Sequence, residues 1–84
     1  MIQTVVIQAD FYGNDVVTIV VAAGNIQYCA QACKSTTACN HFTYVPDTTG
    51  GTGQPPGTCW MKNKLGISPA NAISHVGLMS GILY

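Results

Sequence analysis

The chain has 84 residues and a net charge of zero, built from three Lys and three Asp with neither Arg nor Glu. A nucleic-acid binder needs a basic face and a membrane-surface helix needs a cationic stripe, so this inventory excludes both. A length of 84 residues implies one domain, residues 1–84, whose core alone would leave it marginal, so a staple is expected.

The first stretch, "IQTVVIQA", alternates loosely and is rich in β-branched residues, which predicts a strand near residues 2–9. It has neither a basic region nor a signal-like apolar run, so a secreted form would have its signal removed or encoded outside this sequence. "DFYGND" then reads as a turn on Gly13, Asn14 and Asp15. "VVTIVV" (16–21) is apolar on both parities, the pattern of a strand buried on both faces or one with a face against a partner. Asn25 is a good N-cap for a helix running to about residue 35, on which Ile26, Cys29 and Cys33 share one face.

"ACNHFTYVP" (38–46) reads as a strand stopped by Pro46, and "DTTGGTGQPPG" (47–57) as a loop of breakers and small polar residues. "TCWMKNK" (58–64) is a further strand. "SPAN" (68–71) suits one short helical turn, and "HVGLMSGILY" (75–84) is a last strand interrupted by glycines. No run approaches the roughly 18 apolar residues of a membrane-spanning helix. The expected fold class is α+β, with one helix packed across an antiparallel sheet of about five strands and stapled by disulfides.

The four cysteines follow C-x3-C-x5-C-x19-C. Structural zinc sites use paired knuckles on turns, and redox sites favour C-x-x-C at a helix N-terminus; neither pattern is present. No metal or other cofactor is therefore expected. Structural disulfides remain, with three possible connectivities. The short separation of Cys33 and Cys39 favours a small loop closed there, with Cys29 and Cys59 joined across the sheet.

Taken together, "DFYGND", "YCAQACKSTTACNHFTY", "TCWMK" and "GLMSG" occur in an order that resembles PAN/Apple domains. The resemblance runs from about Asp10 to Gly81. It implies a five-stranded antiparallel sheet with a helix across it, and the nested pairs Cys29–Cys59 and Cys33–Cys39. The chain lacks the extra cysteines that tie the termini together in Apple domains proper, and so it is similar to the shorter four-cysteine PAN type. The resemblance implies an extracellular, non-enzymatic module that binds carbohydrate or protein, with no ligand residue fixed by the family.

Individual residues sharpen these expectations. His41, His75, Asp10, Asp15 and Asp47 are the acid–base candidates, and no signature places them beside a nucleophile. Asp10, Asn14 and Asp15 fall short of the six or more oxygens of a calcium site and read as turn carboxylates bonding local backbone. If Cys59 faces the helix, alternation turns Trp60 and Lys62 to the opposite sheet face. There Trp60, near His41 and Thr43, either stacks on a sugar ring or simply covers the sheet. Tyr12, beside Gly13 at the turn, takes either a binding or a structural role. Phe42 and Tyr44 share a parity and read as core. The loop 47–57 has the Thr and Pro content that permits O-glycosylation.

A second functional reading rests on composition. At 48% hydrophobic and 7% charged, the chain is far below the roughly one quarter charged residues of a typical soluble domain. Some surface is then expected to be covered, and "VVTIVV" and "GLMSGILY" nominate Val17, Ile19, Leu78 and Ile82 as contacts in a homo-oligomer, fibre or coat.

Overall fold

A computed structural model describes residues 2–22, 24–46 and 53–83. Its elements are β1 (Ile2–Asp10), β2 (Asp15–Val20), α1 (Ile26–Ser35), β3 (His41–Tyr44), β4 (Thr58–Lys62), a 3-10 turn (Pro69–Asn71) and β5 (Ile73–Leu83). The strands form one antiparallel sheet in the order β1-β5-β3-β4-β2. The expected fold class and element order hold, with bounds shifted by a few residues. Residues 47–52 of the expected loop lie outside the described residues.

Helix α1 begins where Asn25, in extended conformation, accepts a 2.9 Å hydrogen bond from the Gln27 N–H at its Oδ1, satisfying one of the first turn's orphan donors. Lys34 stands in the last turn, beside the negative end of the helix. The buried stripe is Cys29, Ala30 and Cys33. Disulfides join Cys29 to Cys59 and Cys33 to Cys39, the nested arrangement, with Cα separations of 5.6 and 5.2 Å. The helix is thereby bonded to β4 through one cysteine and to the approach to β3 through the other.

Beneath the helix lie Phe42 and Tyr44 of β3, Cys59 and Met61 of β4, and Leu83 of β5. Gly81 pairs with Phe42 in the sheet, and a Cβ there would stand 2.5 Å from a ring carbon of Phe42. The missing side chain lets the ring lie against the strand backbone. The Tyr44 hydroxyl donates to the Ala22 carbonyl at 2.9 Å and accepts from the Asn25 N–H at 3.3 Å. A core residue thus fixes the connection from β2 into α1.

The other sheet face is covered by the chain's own first strand. The β1–β5 register jumps from Ile7↔Met79 to Ala9↔Ser74. Gln8 and Gly77 take φ of 53° and 90° at the break, and the Gly77 N–H donates to Gln8 Oε1 at 2.7 Å. Glycine adopts this conformation at no steric cost, so Gly77 is suited to the bulge. Beyond it, Ala9–Phe11 lies across the sheet. The Ser80 hydroxyl donates to the Ala9 carbonyl at 2.9 Å and lies 2.9 Å from Thr43 Oγ1, which accepts from the Phe11 N–H at 3.4 Å. Phe11 meets His41 edge-on, ring centroids 5.3 Å apart. All four residues of β3 are consequently buried.

Of the two readings of β2, burial on both faces does not hold. β2 is an edge strand, paired only with β4, and Val16, Val17 and Val20 are exposed. An apolar run on both parities marks either a central strand or an uncovered edge, and only the sheet order distinguishes them. No helix among the described residues is long and apolar enough to cross a membrane.

Candidate functional site

On the face opposite the helix, the overlying β1 segment stops short of the outer strands. Between them lies a cleft of about 520 Å3, within the range of small-ligand sites. One wall is β4, with Trp60 and Lys62; another is the turn at Tyr12, Gly13 and Asp15; the third is Asp10 with Ile73, His75 and Leu78 of β5. Gln54 contributes from the loop before β4. The register explains this convergence, because Asp10 pairs with Ile73 and Asp15 pairs with Lys62 across adjacent strands.

Trp60 is half-buried and sits between Thr18 of β2 and Thr43 of β3 in the sheet. Alternation along β4 puts Cys59 under the helix and the indole in the cleft. Tyr12 is 84% exposed and lines both this cleft and a smaller one of about 220 Å3 that also contains Lys64. The turn carrying it is the expected one, with Gly13 and Asn14 both at positive φ.

Lys62 is placed differently from its expected role as a ligand contact. Its side chain is 4% exposed and its ammonium forms an ion pair with Asp15. It also donates to the Gly13 carbonyl at 3.1 Å. A buried ammonium requires such partners. Lys62 therefore fastens the Gly13–Asp15 turn to the sheet and so fixes Tyr12 beside the cleft. Asp15 bonds across to β4 through this pair, where a local turn bond was expected; its carboxylate remains half exposed.

His41 and Thr43, also expected near a ligand, are fully buried beneath the Ala9–Phe11 segment. They support the cleft from below and present no surface to it. His41 Nδ1 lies 2.7 Å from the Asn40 side-chain oxygen, and its Nε2 has no hydrogen-bond partner among the described residues. Burial, reinforced by the Lys62 and Lys64 charges against an opposing contribution from Asp15, lowers its pKa from 6.5 to about 4. The imidazole is neutral at physiological pH.

The residues nominated for self-association separate in the same way. Val17 is exposed and Ile19 partly so, on the β2 edge. Leu78 and Ile82 are each 4% exposed; the first lies at the cleft and the second pairs with buried His41 of β3. Asp10 and His75 complete the cleft, yet sequence reasoning gave them no binding role. Their approach depends on the β1–β5 bulge, which spacing does not announce. The one signal in the sequence was Asp10 itself, a carboxylate at a strand end directly before an aromatic pair.

No curated protein sequence matches the chain. A family model described as the PAN domain matches residues 9–62. That span holds both disulfides, the tethered turn and the Trp60 wall of the cleft. The nested disulfides, the helix laid over the five-stranded sheet and this match agree, and the chain belongs to the PAN domain family.

Proposed function

We propose that the 84 residues form one extracellular, non-enzymatic recognition module that binds carbohydrate in the cleft walled by Trp60. PAN domains are generally protein- or carbohydrate-binding modules. The observation that carries the carbohydrate reading is a half-buried indole on the wall of a concave site with carboxylates around it. Sugar rings offer an apolar face for such an indole, and their hydroxyls donate to carboxylates. Two disulfides suit an oxidising compartment, which supports a secreted or cell-surface setting.

Trp60 is the single tryptophan, so its fluorescence reports the site directly. Oligosaccharide titration is expected to shift and saturate that emission. By calorimetry, Trp60→Ala is expected to weaken binding by about tenfold or more, about 1.4 kcal/mol. Binding unaltered by Trp60→Ala would remove the cleft from consideration.

Self-association is a second reading, favoured by one observation: the β2 edge exposes Val16, Val17 and Val20 with no Lys or Pro along it. Asp15 and the register shift beside it guard the start of this edge, and the apolar run beyond them is a template for pairing with another strand. A lysine placed on that edge, with molecular mass in solution as the readout, tests it.

A further inference from the structure

The charge that the cleft presents to a ligand is not the sum of the charges around it. Lys62 and His75 are the basic side chains in its lining, yet the Lys62 side chain is 4% exposed, with its donors directed to Asp15 and the Gly13 carbonyl. Its charge is engaged by the turn. The Asp15 carboxylate it neutralises is still 48% exposed, so an acceptor surface remains. Asp10 lines the same cleft with a carboxylate that has no hydrogen bond or ion pair among the described residues. Lys64, an exposed cation, belongs to the smaller cleft on the other side of Tyr12.

We infer that the cleft selects sugars bearing a free amino group, with Asp10 as the counter-charge to the ligand ammonium. This rests on the carbohydrate reading of the Trp60 cleft and adds the charge of the ligand to it. The geometry offers an ammonium two kinds of partner. Trp60 and Tyr12 line the cleft with aromatic rings, whose faces attract cations. Asp10 supplies a full negative charge in a partly enclosed site, where the effective dielectric is well below that of water. A neutral acetamido or hydroxyl group at the same position forgoes both attractions, and a uronic acid carboxylate is repelled.

The test compares three oligosaccharides of equal length at low salt and at a pH where amines are protonated: a fully deacetylated glucosamine oligomer, its N-acetylated counterpart and a uronic acid oligomer. Trp60 emission reads binding to the native chain. The amine oligomer is expected to bind about tenfold more tightly than the acetylated one, and the acidic oligomer more weakly than either. Raising the salt is expected to shrink the amine preference, since a partly exposed charge pair is screened. Asp10→Asn, followed by calorimetry, is expected to bring amine and acetylated oligomers to within about twofold of each other.

Equal binding of the amine and acetylated oligomers would overturn the amine assignment and leave the carbohydrate reading standing. A preference that survives Asp10→Asn, or that salt does not touch, would also overturn it. Absence of binding by all three would remove both readings, as would a lysine-bearing peptide that bound the cleft more tightly than any sugar. Should Asp10→Asn fail to fold, Asp10→Ser is read in the same way, and the salt dependence on the native chain decides the amine preference itself.

Discussion

At the residue scale, two buried groups hold the surroundings of the cleft in place. Lys62 holds the turn that carries Tyr12. His41 supports the overlying segment through its edge contact with Phe11. The histidine has a measurable consequence for stability. Its pKa in the folded chain is about 4, against 6.5 without burial. The unfolded chain therefore takes up the proton first as pH falls. Stability contributed by keeping His41 neutral is complete above about pH 6.5 and is lost progressively down to about pH 4, after which both states are protonated. The loss approaches about 3 kcal/mol, because each tenfold weakening of proton affinity in the folded chain corresponds to about 1.4 kcal/mol. Chemical unfolding of native chain and His41→Gln across this range is expected to show a steeper decline for the native chain. Parallel declines would place the imidazole in contact with water. None of this was legible in "CNHFTY", where parity alone sent His41 to an open face. Alternation tells which face a side chain takes, and the tertiary fold decides whether that face is covered.

At the element scale, the helix and the central strands were legible because local signals agree with their environment. Asn25 caps α1, its cysteines fall on one stripe, and Phe42 and Tyr44 alternate onto the helix side of β3. Strand β2 was legible as a strand and misleading as to place. Its valines lie on the sheet edge, where Val17 is 38% and Val20 64% exposed. Edge position is a property of strand order, which arises from which strands pair and leaves no mark within six residues of sequence. The same exposure makes β2 one edge through which copies of the chain would meet, the other being β1 with Val5 and Ile7. If they meet through β2, Val17→Lys should prevent it, because a lysine on an edge strand opposes pairing with another chain. Light scattering over a concentration range should show the native chain growing in mass and the variant remaining small. Its circular dichroism should be unchanged, since the site is solvent-accessible. A native chain that stays monomeric throughout would end the self-association reading, and exposed β2 would then be an edge left open without a partner.

For the molecule as a whole, the disulfides and the β1–β5 ribbon divide the task of holding two sheet faces closed. The ribbon covers one face by folding back on itself, using Ala9, Phe11 and the Thr43–Ser80 hydroxyl pair. The other face depends on a ten-residue helix, too short to be stable alone in water. Cys29–Cys59 spans 30 residues and joins that helix to β4, while Cys33–Cys39 spans 6 and closes the turn after it. Chain-entropy arguments assign about 3–4 kcal/mol to the longer loop and about 2 kcal/mol to the shorter. The longer bridge also has both cysteines fully buried, whereas Cys39 is only partly so. Replacing Cys29 and Cys59 together by Ala should therefore cost at least about 1 kcal/mol more than replacing Cys33 and Cys39, measured by denaturant unfolding. The cleft is expected to respond differently. Its walls are β4, the Lys62-tethered turn and the β1–β5 ribbon, on the face away from the helix. A variant without Cys33–Cys39 that remains folded should keep its ligand affinity within about twofold, since no wall of the cleft passes through that bridge. Loss of binding in a folded variant of this kind would mean that the helix side and the cleft side are coupled through β3, whose four residues are buried between them.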